Sequence, residues 1–132
     1  MKIKLTFLAL ILSVLSYCQD LEGKWVNRGF TGESNMTYEF QKENVLKIYY
    51  AGKELPTADP VEYTLKDLGN DRYRIEMQYI NLSNNYSANV VGLIAMLGKD
   101  RAEIEIWDRN SVPEKLEFSE ESLIFERDVS QD

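Results

Sequence analysis

Few side chains in this sequence could catalyse a reaction. The chain contains no histidine and a single cysteine, Cys18, which excludes Ser-His-Asp and Cys-His catalysis and the usual nitrogen–sulfur zinc sites. It has no glycine-rich phosphate loop, and residues 108–110 lack the glycine and the terminal glutamate of a calcium loop. We therefore expect neither a metal site nor a cofactor.

A carboxylate pair that could act in catalysis is Glu103 and Glu105. Two such groups can hydrolyse a glycosidic bond when they flank it. Both glutamates, however, alternate with apolar residues of a predicted strand, so we expect them on its solvated face. The sequence therefore favours a binding protein over an enzyme.

Aromatic side chains are the strongest indication of binding. They fall on the apolar side of the predicted strands, and because a buried phenol needs a hydrogen-bond partner, they predict a polar lining or a ligand with oxygen atoms. Phe118 falls on the apolar side as well. The alternative is that all these rings only fill the core. The ligand-binding residues that we predict are Tyr38, Phe40, Tyr50, Tyr63, Tyr73, Met77 and Tyr79.

Three further aromatic residues lie in or beside wider gaps between the predicted strands: Phe30, Tyr86 and Trp107. Phe30 stands between two glycines, an arrangement that suits covering a ligand or docking a protein. The alternative is a phenylalanine folded back onto the core. We predict that all three residues belong to loops or a lid at the mouth of the fold.

The elements that position these residues are predicted β-strands, because apolar and polar residues alternate through nearly the whole chain. Short connections follow several of the alternating runs, whereas wider gaps occur at residues 28–34, 51–60, 81–86 and 108–114. Residues 90–97 are apolar on both faces, which fits a doubly covered strand or a short buried helix; the β-branched start favours the strand. Eight or nine short strands predict an antiparallel meander that forms a barrel or a sandwich. The alternating runs are residues 36–41, 46–50, 61–66, 73–79, 102–106, 116–118 and 123–127.

The first 18 residues have the order of a secretory signal: two lysines, an apolar run and small residues before a cleavage position. The run is too short to span a bilayer. We expect cleavage after Cys18 and one secreted or periplasmic domain over residues 19–132. The alternative is a lipid anchor on Cys18, which Tyr17 beside it disfavours. An exported chain without disulfides suits a bacterial compartment.

The net charge constrains the partner. It is −7 for the whole chain, and after removal of residues 1–18 it becomes −9, from 13 basic and 22 acidic residues. Such a chain is repelled by nucleic acid and by anionic lipid surfaces, so a basic or neutral partner is favoured. The alternative is that the charge only maintains solubility. We expect no nucleic-acid partner and no transmembrane segment in the mature chain.

The two ends of the mature chain carry a family resemblance. A Gly-x-Trp motif ends at Trp25, and Arg127 lies close to the C-terminus. This pairing resembles the lipocalin-like (calycin) β-barrels, in which a first-strand tryptophan packs beneath a last-strand arginine. The resemblance implies a cation–π contact worth about 0.5–2 kcal/mol and a structural role for both residues.

The resemblance to small bacterial lipocalin-like domains also implies a fold and a function. The fold is a single antiparallel up-and-down β-barrel of about eight strands. The function is binding of a small, partly apolar molecule, hydrophobic or amphipathic. The alternative is a protein partner, with this chain acting as an inhibitor or immunity protein for a secreted enzyme or toxin. A purely structural role in an envelope assembly is a third hypothesis.

Overall fold

A computed structural model describes residues 21–27 and 36–128. The predicted signal peptide with Cys18, and Phe30 in the first wide gap, lie outside the described residues. The strands of the described part are β1 (Gly23–Asn27), β2 (Met36–Gln41), β3 (Val45–Tyr50), β4 (Lys53–Glu54), β5 (Val61–Gly69), β6 (Arg72–Asn81), β7 (Tyr86–Met96), β8 (Arg101–Asp108) and β9 (Leu123–Arg127).

Eight of these strands close into one antiparallel barrel. Each barrel strand pairs with its neighbour in sequence, β3 pairs with β5, and β9 returns to pair with β1. The two-residue β4 pairs with β3 and extends that hairpin outside the barrel order. The predicted all-β, up-and-down architecture is confirmed, and closure removes the exposed edges that an open sheet would have.

The up-and-down order places alternate connections at opposite ends. The closed end carries the short connections at residues 42–44, 70–71 and 97–100. The open end carries the equally short connection 82–85 and the longer segments 51–60 and 109–122. At the turn between β5 and β6, Asn70 and Asp71 both have positive φ angles, 55° and 60°. Asn and Asp tolerate this left-handed conformation, which gives a hairpin turn the right twist.

Residues 90–96 fall in β7, so the predicted strand is confirmed over all but the last residue of 90–97, and it is buried on both faces. Ile94 faces the interior, and Leu93 is fully buried on the outer face. Residues 112–122, which we call the strap, lie over this outer face without regular structure. The strap is attached by Ser119, whose N–H and hydroxyl both donate to Glu105 at 2.7 and 2.6 Å.

Three predictions fail because of the strap. Residues 116–118 are not a strand, since β8 already pairs with β7 on one side and β9 on the other and leaves no free edge. Phe118 is not an interior residue; its ring lies 5.8 Å from the guanidinium carbon of Arg72, which pairs with Ala95 on the outer face. Glu105 is not solvated, because the strap leaves it only 6% exposed.

Candidate functional site: the open end of the barrel

The closed end is sealed by Arg127. Its guanidinium carbon lies 4.4 Å from the ring centroid of Trp25, and its Nη1 donates to the carbonyl of Glu22 at 2.5 Å. Its Nε donates to Asp100 at 3.1 Å. The contact that the Gly-x-Trp motif implied is therefore present, and a charge-assisted network holds it in place.

The glycine of that motif has a structural reason. Gly23 has a φ of 118°, and a Cβ there would lie 3.2 Å from Nη1 of Arg127. Any other residue would be strained in its backbone and would press on the guanidinium. Glycine at this position therefore lets the arginine reach over the indole of Trp25, whose Nε1 donates to the carbonyl of Leu21 at 3.0 Å.

Aromatic rings fill the interior. Tyr38 stacks on Phe125 with centroids 5.1 Å apart, and Phe40 meets Tyr63 edge-on at 5.3 Å. The space left between Tyr38, Phe40 and Met77 admits no sphere the size of a water molecule. Within the described residues, this part of the barrel is a packed core in which a ligand finds no room.

The seven residues predicted to bind a ligand therefore occupy two environments. Five belong to the buried core, and only two reach the open end, where Tyr79 is half-buried and Tyr50 is 64% exposed. The five core residues are Tyr38, Phe40, Tyr63, Tyr73 and Met77.

Three tyrosine hydroxyl groups lie between the core and the open end of the barrel. Burial raises the pKa of Tyr38, and the neighbouring Tyr79 raises it further. Burial likewise raises the pKa of Tyr79, with Tyr86 adding to the shift. Tyr86 in turn donates its hydroxyl to Asp108 at 3.4 Å. This series of three phenols links the packed interior to a solvent-exposed carboxylate.

Exposed apolar side chains are concentrated at the open end. Five of the seven large apolar residues exposed in the described part lie there, and only Leu68 and Leu97 lie at the closed end. Because large exposed apolar residues at one place mark interaction sites, we call these five the rim. The rim residues are Tyr50 (64% exposed), Tyr86 (56%), Leu82 (51%), Ile80 (45%) and Leu123 (43%).

The residues predicted for loops have different positions. Tyr86 is the first residue of β7 beside the exposed 82–85 connection, so it does lie at the open end. Trp107 lies within β8, on the same outer face as Glu105, and is not part of a loop or lid. The reason is that β8 extends to Asp108, two residues beyond the alternating run that ends at residue 106.

The outer wall of the barrel carries two concavities that the sequence analysis missed. The larger is an open groove of about 840 Å³ across β5 and β6, lined by Glu43, Glu62 and Glu76, and Arg109 reaches Glu76 at 2.7 Å. The smaller is a pocket of about 270 Å³ between β3 and the chain before β5. Two prolines in residues 56–60 were the available sign that regular pairing breaks there.

No family model, no curated protein and no solved structure matches this chain. The closed eight-stranded antiparallel architecture is compatible with a calycin-like barrel. In residues 21–27 and 36–128, no helix is long and apolar enough to cross a membrane.

Proposed function

We propose that this protein is an exported binding protein that docks a partner protein on the open end of its barrel, in the manner of an inhibitor or immunity protein, and that it is not an enzyme. The observation that carries the proposal is the concentration of exposed apolar side chains at the rim. The packed interior supports it, because binding must then take place on the outside.

The rim has the chemistry of a protein-binding surface. Tyr50 and Tyr86 offer large, rigid rings with a polar tip, and tyrosine is enriched among residues that dominate binding energy. The closed barrel below holds them on strand ends and not on long loops. The acidic surface of the chain favours a basic partner and accelerates its approach.

A second function is favoured by the phenol series of Tyr38, Tyr79 and Tyr86. These hydroxyls would hydrogen-bond to a small amphipathic molecule that carries oxygen atoms. Such a molecule would enter at the open end and lie above the packed core. This is the function that membership of the lipocalin-like proteins would imply. The ligand would have to bind at the rim or displace core side chains, which is why we place this function second.

The test compares rim variants with a matched variant at the closed end. Tyr50→Ser and Tyr86→Ser each remove an exposed ring, and Leu97→Ser removes an apolar side chain of similar exposure from the opposite end. The immobilised proteins are exposed to the secreted proteins of the source cells, and bound proteins are identified by mass spectrometry.

We expect one protein to be retained by the unchanged chain and by Leu97→Ser, and lost from both rim variants. Equal loss in all three variants would refute docking at the rim. A small molecule that is retained by Tyr50→Ser and lost in Tyr79→Phe would move the assignment to the second function.

A further inference from the structure

The barrel wall opens between β3 and β5. These two strands share only two residue pairs, Val45 with Glu62 and Leu46 with Val61. Beyond them, the chain at residues 56–60 turns away from β3 and joins the end of β6, where Ala58 N–H donates to the carbonyl of Ile80 at 3.1 Å. Pairing with β3 resumes where Leu55 N–H donates to Ile48 at 2.8 Å.

Proline explains this opening. Pro56 and Pro60 bracket the segment that leaves β3, and neither has an N–H to donate to a neighbouring strand. The separation leaves a pocket of about 270 Å³ between β3 and residues 54–61. We call it the wall pocket. It lies on the side of the barrel, and its lining residues include no member of the phenol series or the rim.

The wall pocket has an apolar floor. Leu46, Ile48 and Val61 line it and belong to the packed core, with at most 7% of their surface exposed. Leu55 packs against the same core from the other side. Because these core residues are almost inaccessible, the apolar surface that a ligand would contact is supplied by Val45, Leu55 and Pro60, which line the pocket and keep part of their surface exposed.

The margin of the wall pocket is negatively charged. Lys47 is 4.0 Å from Glu54, so these two charges largely offset each other. Asp59 lines the pocket as well, and no lysine or arginine of the described residues forms an ion pair with it. Glu43 and Glu62 line the adjoining groove and add to the negative potential.

We propose that the wall pocket binds a small organic cation, a protonated amine on a compact apolar body. The ammonium group contacts the Asp59 carboxylate, and the apolar body lies against Leu55 and Pro60. The volume is just below the usual lower limit of roughly 300 Å³ for small-ligand sites, so the ligand has the size of a branched alkylamine. The net negative margin disfavours a carboxylate in the same place.

The experiment is a titration of the ¹⁵N-labelled protein, followed by the NMR shifts of its backbone amides. The probe is 3-methylbutylamine, which is protonated at neutral pH. Two comparison probes separate its features: 3-methylbutan-1-ol has the same body without the charge, and methylamine has the charge without the body. Asp59→Asn removes the carboxylate, and Glu43→Gln is the matched control, because Glu43 lines the groove but not the wall pocket.

We expect saturable shifts at Lys47, Ile48 and Ala58, with weaker binding of both comparison probes. Asp59→Asn should weaken the amine by about two- to fivefold, the range of an exposed ion pair, and Glu43→Gln should change it little. Unsaturable shifts spread over the barrel, equal binding of the alcohol, or equal weakening in both variants would each overturn the proposal. Tyr50→Ser should leave amine binding unchanged, which separates this result from the docking proposal.

Discussion

Replacing Gly92 by alanine tests whether the barrel interior is packed. Gly92 lies in the middle of β7, opposite Ile75 on one side and Ile106 on the other. A Cβ added there would overlap the terminal methyl of Ile106 and lie 2.8 Å from a methyl of Ile75. It would also lie 3.1 Å from the backbone carbonyl of Glu105.

The magnitude follows from which of these neighbours can move. The end of Ile106 can rotate, but Ile75 is 1% exposed and the Glu105 carbonyl is part of β8. Overpacking of this kind costs about 1–3 kcal/mol. The lower entropy of the unfolded chain returns about 0.4–1 kcal/mol. The midpoints of these two ranges leave a net cost, so we expect Gly92→Ala to reduce the free energy of unfolding by about 1.3 kcal/mol.

The assay is urea unfolding followed by tryptophan fluorescence. Gly98→Ala is the matched control: no atom lies within 4 Å of its added Cβ and its φ is outside the left-handed region, so we expect unchanged or slightly higher stability. If Gly92→Ala were as stable as the unchanged protein, β7 would have room on its inner face. The packed interior, and with it the preference for external binding, would then be refuted.

Three further predictions concern stability. Arg127→Ala should lower the free energy of unfolding by about 2–4 kcal/mol, because it removes the contact with Trp25 and several charge-assisted hydrogen bonds. Glu105→Ala should release the strap, so that the Ser119 amide exchanges its hydrogen much faster while the barrel strands change little. Burial and a carboxylate hydrogen bond raise the pKa of Tyr49 to about 12. Its neutral form therefore stabilises the fold below pH 10 and that contribution disappears as the pH rises through about 12, which tyrosinate absorbance and unfolding at each pH measure.

Each of these predictions has its own control. Arg127→Lys keeps the charge but not the planar fork, and a lysine variant as stable as the unchanged protein would contradict the network. Glu120→Ala alters an exposed glutamate of the strap, and equally fast exchange at Ser119 in that variant would argue against the role of Glu105. For Tyr49, ionisation at its ordinary pKa would contradict the hydrogen bond to Glu39.

The strands were predictable because one face of each is buried. Period-2 alternation at β2, β5 and β6 reflects an apolar interior and a wet exterior, and this needs no knowledge of the partner strand. The same rule misplaced Phe118, since two alternating apolar residues also suit a segment that covers an outer face. Alternation shows that one face of a segment is buried, but it does not show which part of the protein covers that face.

The candidate site was less predictable than the fold. Alternation correctly placed Tyr38 and Tyr63 inside, but whether an interior ring lines a cavity or fills it depends on volumes across the barrel. Glu105 was expected in solvent because its burial depends on Ser119, a residue 14 positions away. The wall pocket arises where the pairing of β3 with β5 stops. Pro56 and Pro60 indicate that the pairing breaks there, but they do not reveal how deep the opening is.

The most direct test of binding at the open end is a native mass spectrum of the mature protein, purified gently from its own compartment. We expect the bare barrel, or the barrel with a second protein that is absent when Tyr50 and Tyr86 are both changed to serine. The N-terminal mass also decides between cleavage after Cys18 and its acylation. A discrete small molecule that is bound to both the unchanged protein and the doubly changed protein, is lost on denaturation and is still bound in Asp59→Asn, which separates it from a cation at the wall pocket, would contradict external docking and place the ligand inside the barrel.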